Sequence, residues 1–232
     1  MHFNFIPEDQ AIFPHPSLAG PDGIVAIGSN LKAQTLITAY SFGIFPWFNE
    51  DQPIIWWSPD PRFVLFPEEL KISKSMRSYF NQNKFRCTFD HAFDHVILAC
   101  QRIKRQGQYG TWITEDMKSA YKTLHRLGVA HSVEVWNDDM LVGGLYGLSI
   151  GKMFFGESMF ALESNASKFG FISLIKTLKA KGYFLIDCQQ ETKHLKSLGA
   201  RGIPRNEFLD FLARNRKEDN HFDSWDQWSS SY

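Results

Sequence analysis

The chain of 232 residues is long enough for one large domain or two small ones around a sizeable core. Its 44% hydrophobic and 22% charged residues are ordinary for a soluble globular protein. Lys plus Arg equal Asp plus Glu at 25 each, but the zero net charge hides a pattern. Residues 1–70 carry eight acids against Lys32 and Arg62. Residues 71–105 carry eight Lys and Arg against Asp90 and Asp94. That asymmetry fits one surface for a polyanion and another for a cation, or simply a solvated basic helix face. Cys87, Cys100 and Cys188 have no short paired spacing, which argues against a disulfide framework or zinc site. With no basic-plus-apolar leader and no apolar run near about 18 residues, a reduced, cytoplasmic protein off the membrane is expected.

Gly23 to Gly28 reads as a buried strand. Leu31 to Phe42 reads as a helix with Asn30 as N-cap and Gly43 as stop. Pro46 keeps Phe45-Pro46-Trp47-Phe48 out of that helix. Ser58-Pro59-Asp60-Pro61-Arg62 is stiff and turn-prone, and marks the boundary expected between a module over 1–62 and a domain over 63–215. A helix from Ser73 to about Gln82 places Lys74, Arg77 and Asn81 on one face. Asp90 is the expected cap of a helix with Phe93, Val96, Ile97 and Cys100 inward. Arg102 to Gly110 reads as a polar loop. Thr114 caps a helix along Met117, Ala120, Tyr121 and Leu124, stopped by Gly128.

Three strands, His131–Trp136, Leu141–Ile150 and Lys152–Phe160, are joined by tight-turn signals and predict an antiparallel meander. A helix from Ser164 or Asn165 to about Lys181, a strand over Tyr183–Cys188, a short helix before Gly199 and a last helix near Pro204 follow. Residues 216–232 read as a polar tail. The order predicts an α+β fold with a mixed sheet.

Two apolar, strand-like runs contain polar insertions: Gly156-Glu157-Ser158-Met159-Phe160 and Leu185-Ile186-Asp187-Cys188-Gln189. Carboxylates in such places are paired, hydrogen-bonded or used. Either these are satisfied polar groups at strand ends, or neighbouring strands bring Glu157, Asp187 and Gln189 to one cleft. Alternation puts Asp187 and Gln189 on one strand face and Cys188 on the other, as a small core residue. No Gly-x-Ser-x-Gly elbow, metal-binding histidine spacing, Walker loop or dinucleotide fingerprint is present. What remains is carboxylate chemistry without metal. It suits acyl transfer to an amine, because a peptide α-amino group with a pKa of about 8 is already partly neutral.

Several segments together resemble one family. They are Phe45-Pro46-Trp47-Phe48, Trp56-Trp57-Ser58-Pro59-Asp60-Pro61-Arg62, Gly110-Thr111-Trp112-Ile113-Thr114 and Ala130-His131-Ser132-Val133-Glu134-Val135-Trp136. To these are added Gly143-Gly144-Leu145-Tyr146-Gly147, Gly156-Glu157-Ser158-Met159-Phe160, Asn165-Ala166-Ser167-Lys168, Asp187-Cys188-Gln189 and Ser197-Leu198-Gly199-Ala200. The family is the leucyl/phenylalanyl-tRNA–protein transferases, and the resemblance runs in register from about Ala11 to about Leu212.

The resemblance implies a small N-terminal α/β module and a GNAT-like acyltransferase domain with a mixed, mainly antiparallel sheet. It implies a cytoplasmic enzyme that moves Leu or Phe, and Met less well, from aminoacyl-tRNA. The acceptor is a protein beginning with Arg or Lys, which is thereby marked for degradation. It places Asp187 and Gln189 at the reaction centre. In one version Asp187 polarises Gln189, which engages the attacking amine; in another the terminal ribose of the tRNA moves the protons. The activated donor ester requires no ATP, metal or other cofactor.

Within that frame Glu157 suits the donor's ammonium group, and Trp47 and Trp112 suit stacking on the terminal adenine. Tyr121, Leu145, Phe154, Phe155 and Ile186 are candidates for the apolar side-chain slot, with Leu145 where some members have Met. Lys74, Arg77, Lys84 and Arg86 are candidates for tRNA phosphate contacts. The acidic first module is a candidate attractor for the acceptor's basic residue. A monomer is expected, since no heptad or long exposed apolar stripe is evident. Two alternatives stay open. A CoA-dependent N-acyltransferase on the same fold is disfavoured because Leu162-Glu163-Ser164-Asn165-Ala166 lacks a Gly-rich pyrophosphate loop. A non-catalytic RNA or degradation-signal adaptor would not need Asp187 and Gln189 together.

Overall fold

The computed structural model describes residues 4–103, 112–220 and 222–229. The polar loop expected to end at Gly110 falls outside them beyond Ile103, as do Lys104 and Arg105 of the basic stretch and the Gly110-Thr111 start of one motif.

The first part of the chain builds a four-stranded sheet. Its strands are β1 (Phe5–Ile6), β2 (Ile24–Gly28), β3 (Phe45–Pro46) and β4 (Ile55–Trp57), with helix α1 (Ala33–Ser41) between β2 and β3. The spatial order is β1-β2-β4-β3, which leaves β3 at an edge. Asn30 is not the cap of α1. Lys32 holds that position, and the Asn30 carboxamide oxygen accepts from the Lys32 amide and the Thr35 hydroxyl.

The second sheet holds seven strands: β5 (Arg62–Leu65), β6 (Arg86–Phe89), β7 (Ala130–Asn137), β8 (Met140–Ile150), β9 (Met153–Ala161), β10 (Leu185–Gln189) and β11 (Arg201–Ile203). Its order is β11-β5-β10-β9-β8-β7-β6, and β9–β10 is the one parallel pair of this sheet among the described residues. The sheet is thus mixed and mainly antiparallel, and the meander β7–β9 lies where the turn signals put it. Strand β5 lies inside this sheet, with all four residues buried, and begins at Arg62, the last residue of the segment expected to be turn-prone. A strand buried on both faces carries no alternation to reveal it.

Helices α2 (Lys74–Asn81), α3 (Phe93–Arg102), α4 (Glu115–Arg126), α5 (Ala166–Ala180), α6 (Lys193–Ser197) and α7 (Arg205–Asn215) complete the fold. Helices α3 and α4 cover one face, sharing a core with α1, α7 and the first sheet. Helices α5 and α2 cover the other, where Phe80 stacks on Phe169 at 4.2 Å. Thr114 caps α4 as expected, accepting from the Met117 amide. Asp90 does not cap α3. The Glu134 carboxylate, across the sheet, accepts from the His91 and Ala92 amides instead. Asp90 accepts from the Ser132 and Trp225 amides and lies 2.8 Å from His131 Nδ1.

That last link corrects the expected tail. Trp225 is buried and stacks on His131 at 3.7 Å and on Trp228 at 4.1 Å. Two large rings in a polar stretch have enough apolar surface to dock it. Among the described residues no helix is long and apolar enough to cross a membrane.

Candidate active site

Strands β9 and β10 run in register from Leu185–Met153 to Asp187–Phe155, and then both bulge. On β9, Ser158 faces Tyr146 and Gly156 faces Gly147, so Glu157 is the extra residue. On β10, Asp187 faces Val64 and Gln189 faces Phe63, so Cys188 is extra, and Gln189 takes φ 63°. Gly147 permits the close approach: a Cβ there would lie 2.2 Å from the Phe155 carbonyl oxygen. Two bulges at one level re-aim their side chains and part the ladder. A cavity of about 460 Å³ opens at the gap, bordered by Gly156, Glu157, Asp187, Cys188 and Gln189. The sequence runs with polar insertions are thus neighbouring strands around one cleft, and the expected alternation fails at Cys188.

Glu157 is held by three side-chain donors. Its Oε1 accepts from the Tyr40 hydroxyl at 2.6 Å and from Gln189 Nε2 at 2.8 Å. Its Oε2 accepts from the Tyr121 hydroxyl at 2.9 Å, and the two hydroxyl oxygens are 2.6 Å apart. Three short oxygen contacts therefore share only two tyrosine protons; when Glu157 is protonated, its O–H donates to one tyrosine, which then donates to the other, and the ring closes. Burial pushes the Glu157 pKa up to about 7, although the three donors oppose it. Burial, then the Glu157 charge, pushes both tyrosines well above their usual range.

Asp187 is wholly buried and held by an equally buried Arg62. Arg62 Nε donates to Oδ1 at 2.8 Å and Nη2 to Oδ2 at 2.6 Å, the bidentate geometry of strong carboxylate pairs. Oδ1 also accepts the Gln189 backbone N–H at 2.9 Å. Asp187 therefore meets the backbone of Gln189 and not its side-chain amide, which points to Glu157. Polarisation of that amide by Asp187 has no contact to travel through.

The remaining candidates divide. Leu145 and Ile186 line the cavity, joined by Phe171, Met159 and Leu195, which the sequence did not single out. Phe154 and Phe155 do not line it. Neighbours on one strand, they point to opposite faces, Phe154 into the α5 core and Phe155 edge-on to Tyr40 at 5.6 Å. Tyr121 is also core, and reaches the site through its hydrogen bond to Glu157. Trp47 and Trp112 both stand on the cavity wall, and Trp57 Nε1 holds the Trp47 carbonyl at 2.7 Å. Cys188 is half-buried, packed against the core as expected and bordering the cavity as well. Burial and then the Asp187 charge push its thiol pKa up, so it stays protonated.

Lys74, Arg77, Lys84 and Arg86 are exposed on α2, the following turn and edge strand β6. Lys84 lies 3.9 Å from Glu163, and Arg86 sits over the Trp136 ring at 5.4 Å. Among the described residues no group of three His, Cys, Asp or Glu could hold a metal ion.

Sequence reasoning missed Arg62 and Tyr40. A signal existed for the first: a lone cation in Arg62-Phe63-Val64-Leu65-Phe66 needs a buried carboxylate, and Asp187 in its own apolar run is the complement. Tyr40 had none, since a helical tyrosine facing a core is commonplace.

Two family models match the chain: the leucyl/phenylalanyl-tRNA protein transferase model over residues 64–213, and its N-terminal domain model over residues 29–60. The chain is 55% identical to the leucyl/phenylalanyl-tRNA–protein transferase of Pseudomonas fluorescens, covering 88% of this chain and 90% of that one. It is 57% identical to the enzyme of the same name from Christiangramia forsetii, covering 88% and 97%. Among solved structures, L-PGS from Bacillus licheniformis superposes with a TM-score of 0.40 at 11% identity, over 70% of this chain and 52% of that one.

The two family models and the two matching transferases define the class of the protein as an aminoacyltransferase. The chain belongs to the leucyl/phenylalanyl-tRNA–protein transferase family.

Proposed function

We propose that the chain transfers Leu or Phe, and Met less well, from aminoacyl-tRNA to the α-amino group of proteins beginning with Arg or Lys, marking them for degradation in the cytoplasm. The observation that carries this reading is Glu157, held by Tyr40, Tyr121 and Gln189 at one cavity that also offers an apolar slot and two tryptophans. In this reading Glu157 takes the donor's ammonium group. The donor side chain enters beside Leu145, Ile186 and Phe171, and Trp47 and Trp112 stack on the terminal adenine. The Gln189 amide engages the attacking amine. Residues 1–62 supply the Trp47 wall, residues 63–215 supply the cleft, and the protein acts as a monomer. Lys74, Arg77, Lys84 and Arg86 meet phosphates of the tRNA, giving affinity without base reading.

Incubation with radiolabelled leucyl-tRNA and a peptide beginning with Arg places label on the peptide. Label passing only from acetyl-CoA would refute the reading, as would tRNA binding without transfer. Base stacking is worth about 1–3 kcal/mol, so Trp47→Ala and Trp112→Ala each weaken aminoacyl-adenosine binding by about 5- to 150-fold in calorimetric titration. The Lys74→Ala/Arg77→Ala pair flattens the slope of log affinity for tRNA against log salt by about 1–2. An unchanged slope would show that the basic face is only solvated. Leu145→Met changes the Leu-over-Phe preference by less than about 1.5 kcal/mol, read as the ratio of kcat/KM values.

A further inference from the structure

We infer that Arg62 is a positioning residue for the transfer reaction, holding the two sides of the cleft in register through three hydrogen bonds and two ring contacts. Two go to Asp187 on β10. A third runs from Nη1 to the Gly43 carbonyl oxygen at 3.1 Å. The other two are aromatic: the guanidinium sits over the Phe45 ring at 4.8 Å and the Phe208 ring at 4.6 Å. Every donor direction used ends on a buried group, and the side chain is 0% exposed.

These contacts lead to the two walls that matter. Asp187 passes the hold to Gln189 by accepting its backbone N–H. That bond fixes a residue at φ 63°, a region unfavourable for a side chain, and so aims the Gln189 amide at Glu157. On the other side, Gly43 and Phe45 lead directly into Pro46 and Trp47 of the cavity wall. Gly43 itself has φ 77°, and a Cβ there would lie 2.7 Å from Leu212 and 3.0 Å from Phe208. The turn is therefore clamped between Arg62 and α7. Asp187 acts in this arrangement as the counter-ion of Arg62 and the anchor of the Gln189 bulge. Its oxygens are occupied by three donors and do not face the attacking amine.

The kinetic arm of the test rests on the aminoacyl-transfer reading; the exchange arm does not. Arg62→Lys keeps the charge but cannot reproduce the planar fork. Hydrogen exchange at the Gln189 amide is expected to quicken at least about tenfold, while amides in β7 and β8 keep their protection. Single-turnover transfer of leucine from leucyl-tRNA to a peptide beginning with Arg is expected to slow about 100-fold, with KM for tRNA within about threefold. Asp187→Asn is the second variant, should Arg62→Lys not fold. It should show the same exchange and lower the pH–rate profile in height without removing a limb.

The double variant Arg62→Met/Asp187→Leu is expected to transfer no more slowly than Arg62→Met alone, because the pair acts as one unit. Unchanged exchange at Gln189 would overturn the proposal. Multiplying losses in the double variant would overturn it too, by giving Asp187 a role of its own. Exchange that responds as expected in a protein that moves no leucine would refute the functional reading and leave the positioning role standing.

Discussion

Asp187→Ala is expected to lower stability by about 3–5 kcal/mol and to lower turnover sharply, while tRNA affinity stays nearly intact. The cause is the partner left behind. Arg62 is fully buried, and without Asp187 its guanidinium keeps only the Gly43 carbonyl and two ring faces. An uncompensated buried charge costs more than a well-made ion pair contributes. Turnover falls because the Gln189 backbone N–H loses its acceptor and the αL bulge relaxes. In the proposed reading affinity for tRNA rests on exposed cations of α2 and β6, so it should change little. Urea denaturation reads the first effect and filter binding the last. Parallel losses of tRNA affinity and turnover would refute the assignment. A stability loss under about 1 kcal/mol would show that the pair is not as buried in solution as the structure has it.

Glu157→Gln is expected to become more stable than the parent as pH rises, by at most roughly 3 kcal/mol between pH 5 and pH 8. The sign follows from the raised pKa. In the folded chain Glu157 titrates at about 7, against 4.5 for the free side chain, with burial as the leading cause. Between those values the folded state holds a proton that the unfolded state has released, so parental stability falls as pH climbs through the window. Each unit of pH across the window is worth about 1.4 kcal/mol. The glutamine amide supplies a donor where the protonated acid did, so the ring with Tyr40 and Tyr121 stays closed at every pH. Urea midpoints at pH 5 and pH 8 test this, and equal pH slopes in parent and variant would sink it. Function should move the other way. Without a negative charge to meet the donor ammonium, aminoacyl-adenosine binds Glu157→Gln more weakly, by about 10-fold or more at pH 8.

The elements that read clearly from the sequence are those whose signals are local. Met117, Tyr121 and Leu124 follow the helical period behind the Thr114 cap, and α4 forms there. The turns around Asn137–Asp139 and Gly151 carry φ values that favour such residues, and the meander β7–β9 forms between them. The strands missed are short or buried on both faces. Arg62-Phe63-Val64-Leu65 shows no alternation because both faces of β5 are covered. Arg86–Phe89 is an edge strand of four residues whose pairing to Trp136–Val133 is visible only in space. Asp90 and Trp225 misled for one reason. Each finds its partner across the sheet, Asp90 at His131 and Trp225 on the His131 ring, where no sequence window reaches.

The site divides along the same line. By itself the sequence showed that Glu157, Asp187 and Gln189 are polar groups in strand-like apolar runs, and which family these motifs resemble. Burial cost alone makes such carboxylates conspicuous wherever their partners lie. Only the tertiary structure decided which atom each group meets. The Arg62–Asp187 pair joins residues 125 apart and the Tyr40–Glu157 bond residues 117 apart. Two bulges, not the regular alternation of a strand, aim Gln189 at Glu157 and tie Asp187 to its backbone. Composition and periodicity record what a residue prefers to contact; long-range packing alone selects the contact it gets.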